Sequence, residues 1–207
     1  MTPDQADALA AAFDTLGKLH RSAPDAATLA AFRELLADWP LPDTADAQSG
    51  LVALNRSAQS GEDAAQIAAD HNRLYGDAAR ALVAPYESVF RGTEGLVFGE
   101  ATLSVRAAYR QFGLEAPRVN REPDDHIGLE FDFVAQLLLR AMDDMAVGDE
   151  GGTEQALDGA RAFVSDHLGE WAPDVLRRVA AEADTSFMVG IALLSSGALE
   201  SLADALG

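Results

Sequence analysis

The chain has 207 residues, of which 48% are apolar, enough to bury the core of one domain or of two closely packed subdomains. It contains no cysteine, which excludes disulfides, cysteine-ligated metals and thiol catalysis. The formal net charge of −19 argues against nucleic acid and anionic membranes as partners, and it would attract a cationic one.

The N-terminal region carries two helix start signals. Thr2-Pro3-Asp4-Gln5 combines an N-cap residue, a proline at the first helical position and a capping-box partner, and predicts a helix to about His20. This segment lacks the basic start and unbroken apolar run of a signal peptide. Ser22-Ala23-Pro24-Asp25 repeats the start signal, and Trp39-Pro40 ends the second helix.

The middle of the chain alternates helical and irregular patterns. Segments 45–59 and 62–75 are rich in alanine and polar residues and predict two further helices. The proline and glycines within 83–99 predict an irregular loop. A helix over 100–112 follows, and 113–123 reads as a hinge loop because it contains Gly113, Pro117 and Pro123.

The C-terminal part shows the clearest helical periodicity. Apolar residues recur every three or four positions from Ile127 to Met145, and again from Phe187 to Leu206. A further helix is expected after Gly151-Gly152 and ends near Leu168, and a final pair covers about 173–182 and 184–206. The prediction is an all-α bundle of roughly nine to ten helices, with no membrane-spanning segment. It divides the chain into an N-terminal subdomain (1–112), a hinge (113–123) and a C-terminal subdomain (124–207).

One acidic stretch, Glu122-Pro123-Asp124-Asp125-His126, lies directly before the helix that starts near Ile127. Asp124 or Asp125 could cap that helix. A cap needs one carboxylate and the stretch supplies three, so a recognition site for a cation is the second interpretation. The positive helix end favours a neutral His126, whereas the nearby carboxylates favour its imidazolium form.

Two other segments combine residues of different chemistry. Tyr86, Glu87, Ser88 and Phe90 follow Pro85 in the predicted loop, where exposed apolar and acidic groups would suit a peptide with basic and apolar parts. The alternative is that the two aromatic residues pin the loop to the core. Nearer the C-terminus, the run from Phe163 to Trp171 contains an Asp-His pair, and its aromatic spacing is typical of packing between helices.

Signatures of catalysis are missing: there is no phosphate-binding loop, no dinucleotide-binding glycine pattern, no His-Glu-x-x-His and no nucleophile elbow. An alternative that the sequence leaves open is a metal-dependent hydrolase using Asp125 and His126 with His71 or His167. Such a site needs at least three convergent ligands.

Taken together, four segments resemble the TorD/DmsD family of maturation chaperones for molybdenum-containing redox enzymes, which includes NarJ-like members. The acidic stretch resembles the family's Glu-Pro-x-Asp-His motif, and Pro85–Gly92 is similar to its Pro-Tyr-Glu-Ser-Val-Tyr/Phe run. Arg73-Leu74-Tyr75 resembles an Arg-Leu-Phe segment, and Asp166-His167-Leu168 with Trp171 resembles a late motif. The resemblance runs from about His71 to the C-terminus.

The resemblance implies a cytoplasmic, non-enzymatic chaperone without a cofactor or metal of its own. It would bind the twin-arginine signal peptide of a molybdopterin oxidoreductase and hold the apo enzyme until its cofactor is inserted. By motif matching it implies Pro123, Asp125 and His126 as signal-peptide-binding residues, with Tyr86, Glu87 and Ser88 lining the same region. The residue chemistry adds the carboxylates of Glu122 and Asp124 as candidates. The sequence leaves open a monomer or a domain-swapped dimer, since a hinge at 113–123 would permit swapping.

The residue chemistry agrees with this implication, since paired arginines favour bidentate contacts with carboxylates such as Glu122, Asp124 and Asp125. In this hypothesis Tyr86 and Phe90 contact the apolar part of the peptide. Two alternatives stay open. The protein could be an adaptor that binds the body of its client, and the acidity could reflect salt adaptation, since Lys18 is the only lysine.

Overall fold

The computed structural model describes residues 1–42, 44–76, 81–92, 95–118 and 121–207. No β-strand is found within these ranges, which confirms the all-α prediction. The α-helices are α1 (Pro3–Arg21), α2 (Ala26–Leu35), α3 (Ala45–Ser60), α4 (Ala64–Tyr75), α5 (Glu87–Arg91), α6 (Glu100–Gln111), α7 (Ile127–Val147), α8 (Glu150–Phe163), α9 (Gly169–Glu182) and α10 (Ser186–Leu206).

Both N-terminal start signals are confirmed by cap geometry. The Thr2 hydroxyl accepts from the Gln5 backbone N–H at 3.2 Å, and the Gln5 side chain accepts from the Thr2 N–H at 2.8 Å, which completes a capping box. Asp25 caps α2 by accepting from the Thr28 N–H at 2.7 Å. These bonds fix where α1 and α2 begin.

Two long helix pairs form the framework of the bundle: α1 lies along α7, and α3 lies along α10. Glycines permit the first crossing to be close. A Cβ on Gly17 would be 2.8 Å from the Gly128 carbonyl oxygen, and a Cβ on Gly128 would be 2.5 Å from the Gly17 carbonyl oxygen. The C-terminal end of α1 therefore lies against the first turn of α7, where the acidic stretch ends.

The core is one continuous apolar cluster that takes side chains from both predicted subdomains. Phe13 of α1 stacks on Phe131 of α7 with ring centroids 4.9 Å apart, and Trp171 of α9 is fully buried. The division into subdomains at 113–123 stays a prediction. Residues 119 and 120 of the predicted hinge lie outside the described residues.

Two boundaries differ from the sequence prediction. The short helix α5 lies within the stretch predicted as irregular (83–99), of which residues 93 and 94 are outside the described residues. The expected break between 168 and 173 is absent, because α8 continues through a π-helical turn, Val164–Leu168, into α9. A π turn accommodates one extra residue in the helix, and both His167 and Leu168 in it are buried.

By length and composition, α10 is long and apolar enough to cross a membrane, but 61% of its most apolar window is buried inside the protein. It packs against α1, α3 and α9. Contacts within the bundle therefore account for its apolar character, as expected for a core helix.

Candidate functional site

The two segments that carry the main motifs lie side by side. Tyr86 and His126 form an isolated antiparallel bridge. The Glu87 N–H donates to the Asp125 carbonyl at 3.0 Å, and the Ile127 N–H donates to the Pro85 carbonyl at 2.9 Å. Two segments separated by almost forty residues in sequence are thus held as one unit at the N-terminus of α7.

Asp125 is the centre of this unit and is fully buried. Its Oδ2 accepts from the Ser88 backbone N–H at 2.6 Å, and its Oδ1 accepts from the Thr102 hydroxyl at 2.6 Å. One carboxylate therefore connects α5, α6 and the start of α7. Both of its oxygens are engaged within the protein.

Asp124 is also fully buried and lies against a cation. Its Oδ2 is 2.6 Å from the Arg106 Nε and 2.5 Å from a terminal guanidinium nitrogen of the same residue. The Tyr109 hydroxyl donates to its carbonyl oxygen at 3.0 Å. The expectation that Asp124 and Asp125 face a peptide from an exposed loop is wrong on exposure, because both carboxylates point into the protein.

The N-cap of α7 is His126, so the prediction of an aspartate cap is wrong. The imidazole Nδ1 accepts from the Gly128 N–H at 3.0 Å. Burial lowers the pKa of His126 to about 3, and the nearby Arg21 and His71 contribute in the same direction. The ring is therefore neutral at physiological pH, which resolves the opposing effects that the sequence left open. The aspartates cannot serve as caps because donors from other elements already engage them.

Glu87 and Ser88 are buried too, whereas an exposed loop was expected. The Glu87 carboxylate accepts from the His167 Nδ1 at 2.9 Å and from the Arg91 guanidinium at 2.5 Å. Phe90 packs on Trp171, with ring centroids 6.4 Å apart. For Phe90 the structure supports the alternative that the aromatic residue pins the segment to the core.

The late motif packs beneath this segment, as the sequence predicted. His167 contacts Glu87, and the Trp171 indole N–H donates to Glu130 Oε2 at 3.0 Å. Glu130 is fully buried, and burial, followed by the charge of Glu87, raises its pKa well above the ordinary range. The motif thus forms a polar layer inside the bundle and supports α5 from below.

Glu122 is the acidic residue of the motif that reaches solvent. Its side chain is 50% exposed and forms an ion pair of 2.6 Å with Arg118. It lines a groove of about 600 Å³, which we call the motif groove. The groove is lined by Lys18, Arg21, Ser22, His71, Asn72, Tyr75, Gly76, Tyr86, Arg118, Glu122, Pro123, His126 and Leu129.

Sequence reasoning missed the wall that α1 contributes to the motif groove. Lys18 and Arg21 enter it because the Gly17–Gly128 crossing brings the end of α1 against α7. Nothing in the local sequence around these residues signals a site. Lys18 and Arg21 add positively charged groups to a groove that also contains the carboxylate of Glu122. Lys18 forms an ion pair with Asp14 at 2.7 Å.

The hydrolase alternative lacks its ligands in the part of the chain that the structure describes. No group of three or more His, Asp or Glu side chains that could hold a metal is found there. The ring nitrogen of His71 contacts the His20 carbonyl at 3.1 Å, and the Asp125 oxygens are both engaged. These residues instead belong to a polar groove and to the buried hydrogen-bonded network beneath it.

Comparison with known proteins agrees with the motif resemblance. Residues 42–177 match the family described as nitrate reductase delta subunit. The chain is 29% identical over 122 residues to chaperone protein TorD of Photobacterium profundum, covering 59% of this chain and 55% of that protein. It is 29% identical over 128 residues to chaperone protein TorD of Vibrio vulnificus (strain YJ016), covering 62% and 58%.

The chain therefore spans less than two thirds of the length of these relatives. The family match covers most of the present chain and includes both motif segments and the late motif up to Trp171. The resemblance drawn from the motifs is thus confirmed at the level of the family. This chain belongs to the nitrate reductase delta subunit family, together with the TorD chaperones.

Proposed function

We propose that this protein is a cytoplasmic chaperone that binds the twin-arginine signal peptide of a molybdopterin oxidoreductase. It holds the apo enzyme during cofactor insertion and assembly, before export, and catalyses no reaction itself. The observation that carries the proposal is the motif groove, where the half-exposed Glu122, Tyr86 and His126 lie together on a strongly acidic protein. It works as a monomer or as a domain-swapped dimer.

Within this proposal the motif residues have two different roles. Glu122 exchanges Arg118 for an arginine of the peptide, since both partners form the same kind of carboxylate–guanidinium pair. Tyr86 and Pro123 provide the apolar wall beside it. Asp124, Asp125, Glu87 and Ser88 act from beneath, because they are buried and hold the wall in place.

His126 contributes through its position as well as its chemistry. Its ring meets the Tyr86 ring edge to face, with centroids 5.3 Å apart, while its Nδ1 caps α7. The neutral ring adds no positive charge to the groove and therefore does not repel a peptide arginine. The wall that a peptide would meet is thus fixed in orientation before binding.

One observation favours a second candidate, an adaptor that binds the body of the client enzyme. Lys18, Arg21 and Arg118 line the same groove and oppose the entry of two further cations. A folded client surface with acidic groups would meet these three residues favourably. The two candidates differ in what the groove binds. In the first, Glu122 pairs with an arginine of the signal peptide; in the second, the three cationic residues contact acidic groups of the client.

The test is a comparison of two matched variants by calorimetric titration with a twin-arginine peptide. Glu122→Gln removes the exposed carboxylate of the motif and should weaken binding about 5- to 50-fold, as expected for the loss of a charged hydrogen bond. Glu115→Gln is the control, because Glu115 is 66% exposed and lies 3.8 Å from Arg110 outside the groove. Equal affinities for both variants and the parent protein would exclude Glu122 as the arginine partner.

A further inference from the structure

Two grooves meet along the outer side of α3 and α10. One, of about 440 Å³, runs past Val52 and Arg56, and the other, of about 410 Å³, runs past Asp46 and Glu200. Leu193 lines both grooves. They therefore form one continuous surface, which we call the α3–α10 face.

The centre of the α3–α10 face is apolar. Val52 of α3 is 59% exposed, and Val189 and Leu193 of α10 are partly exposed beside it. The ends of the face carry the charged side chains. An exposed apolar centre with charged residues at its edge is typical of an interface between proteins.

Close backbone contact holds α3 and α10 in a fixed antiparallel register. A Cβ on Gly50 would lie 2.9 Å from the Leu194 backbone nitrogen, and a Cβ on Gly197 would lie 2.9 Å from the Ala47 Cβ. Position 50 thus lies beside 194 and position 47 beside 197, so the two helices run in opposite directions. Such close packing fixes the spacing of the residues across the face.

Charged residues are few on α3 and lie at opposite ends of it. The helix contains one acidic residue, Asp46, and one basic residue, Arg56, in a chain with a net charge of −19. Neither side chain has an ion-pair partner in the part of the chain that the structure describes. Glu200 adds an acidic group at the Asp46 end, and Arg177 at the same end is paired with Asp174 at 2.6 Å.

This spacing of charges is self-complementary. Asp46 and Arg56 are ten residues apart, about 15 Å along the helix, and Val52 lies next to their midpoint. If two copies of α3 lie antiparallel across a two-fold axis beside Val52, the Asp46 of each copy faces the Arg56 of the other. A two-fold interface requires self-complementarity of this kind.

The net charge also favours this face over other surfaces for contact between two copies. A net charge of −19 makes two copies repel each other. The single acid and single base of α3 leave that helix neutral, so two α3 helices can approach without a net charge on either. Antiparallel pairing then brings opposite charges together at both ends.

We propose that the α3–α10 face binds a second copy of this chain and forms a two-fold dimer in which each copy keeps its own fold. Val52 and Leu193 form the apolar centre, and two Asp46–Arg56 ion pairs set the register. The inference is independent of the proposed function, because no residue of α3 or α10 lines the motif groove. Each dimer would carry two motif grooves, one on each copy.

Sedimentation equilibrium of the full chain measures this association. The parent protein should dimerise reversibly with a dissociation constant below about 1 mM. Asp46→Arg and Arg56→Asp should each raise that constant at least about tenfold, because each change turns both ion pairs into contacts of like charge. The controls are Asp143→Arg and Arg140→Asp, which make the same changes in net charge at exposed positions of α7 and should dimerise as the parent protein does.

An equal mixture of the Asp46→Arg and Arg56→Asp chains tests the register itself. In a dimer of one chain of each kind, the two substituted side chains have opposite charges and face each other. The unchanged Arg56 of the first chain and Asp46 of the second also pair. The mixture should therefore dimerise about as tightly as the parent protein, which two misfolded variants could not do.

Three results would overturn the inference. A parent protein that stays monomeric at about 1 mM would leave the face to a different protein. A dimer that persists in both single variants would place the contact elsewhere or require exchanged segments, and a mixture that stays monomeric would exclude the antiparallel pairing. None of these results affects the binding of a twin-arginine peptide at the motif groove, which calorimetry measures separately.

Discussion

Asp125 illustrates how a motif carboxylate can act on a site without facing it. It is fully buried and accepts two hydrogen bonds of 2.6 Å, one from a backbone N–H of α5 and one from a hydroxyl of α6. Hydrogen bonds to a charged acceptor are about twice as strong as neutral ones. Asp125 therefore acts as a positioning residue that fixes the segment carrying Tyr86.

Asp125→Asn is expected to lower the free energy of unfolding by about 2–4 kcal/mol. The amide NH2 replaces one of the two accepting oxygens and would then face another hydrogen-bond donor. Denaturant unfolding measures this change. Asp143→Asn is the control, since Asp143 is exposed on α7, and should change stability by less than about 0.5 kcal/mol. Equal stability of both variants would show that the two hydrogen bonds of Asp125 are not structural.

At the level of elements, the site depends on the crossing of α1 and α7. The glycines at the crossing let the backbones approach until a Cβ would contact a carbonyl oxygen. This approach brings Lys18 and Arg21 into the motif groove and stacks Phe13 on Phe131. A change at the crossing should therefore alter stability and groove shape together.

Gly17→Ala tests this crossing. Alanine favours a helix by about 1 kcal/mol over glycine, but here its Cβ would lie 2.8 Å from the Gly128 carbonyl oxygen, a clash that requires the helices to separate. The expected net loss of stability is about 1–3 kcal/mol. Gly151→Ala is the control, because its nearest neighbour is 3.6 Å away, and it should be neutral or stabilising. A stabilising Gly17→Ala would contradict the close crossing.

At the level of the whole molecule, burial in the bundle favours the neutral form of two ionisable groups that have no charged partner of opposite sign in contact among the described residues, His20 and Glu130. His20 is fully buried between Tyr75 and Ser195, at 2.9 and 2.8 Å, and burial lowers its pKa to about 3. The groups in contact with its ring are a phenol, a hydroxyl and Phe131, none of which carries a charge. The nearby His126 and His71 lower the pKa of His20 in the same direction as burial. Burial acts in the opposite direction on Glu130, whose raised pKa favours its protonated form.

Acid should therefore destabilise the fold below about pH 6.5. The unfolded chain binds a proton at His20 near its ordinary pKa and the folded chain does not, so stability falls as pH drops from 6.5 toward 3, and His20 alone accounts for about 1.4 kcal/mol at pH 5.5. His126, whose pKa burial also lowers to about 3, adds to the loss. Glu130 acts in the opposite direction. Because the folded chain binds the proton of this carboxyl more tightly than the unfolded chain does, its contribution to stability increases as the pH falls toward the ordinary pKa of a glutamate.

Unfolding free energies measured between pH 7.5 and 5 test the prediction. His20→Gln should be less stable at pH 7.5, but its stability should fall less steeply as the pH is lowered, because position 20 of the unfolded variant no longer has an imidazole to take up a proton. An identical slope in the variant and the parent protein would show that His20 is not the group responsible.

Local signals in the sequence were sufficient to predict the helical class and most helix bounds. The caps at Thr2 and Asp25 and the apolar periodicity of α7 depend on neighbours within one or two turns. The direction in which Asp124 and Asp125 point depends on Arg106, Ser88 and Thr102, whose proximity only the tertiary fold creates. The sequence therefore identified the motif, but the exposure it predicted for Asp124 and Asp125 was too high.

The same dependence on tertiary contacts explains why the lining of the motif groove could not be predicted in full. Glu122 was identified from its motif, whereas Lys18 was not, because it reaches the motif groove only through the α1–α7 crossing. The stretch 83–99 was predicted as a loop from its proline and glycines. The short helix α5, Glu87–Arg91, is too short to show a helical periodicity in the sequence.

In the proposed function the motif groove recognises paired arginines. Calorimetric titration of the parent protein with a twin-arginine peptide and its twin-lysine counterpart measures this recognition. We expect the twin-arginine peptide to bind at least tenfold more tightly, because only a guanidinium matches a carboxylate with two parallel hydrogen bonds. Equal affinity for the two peptides, or binding of neither, would contradict it.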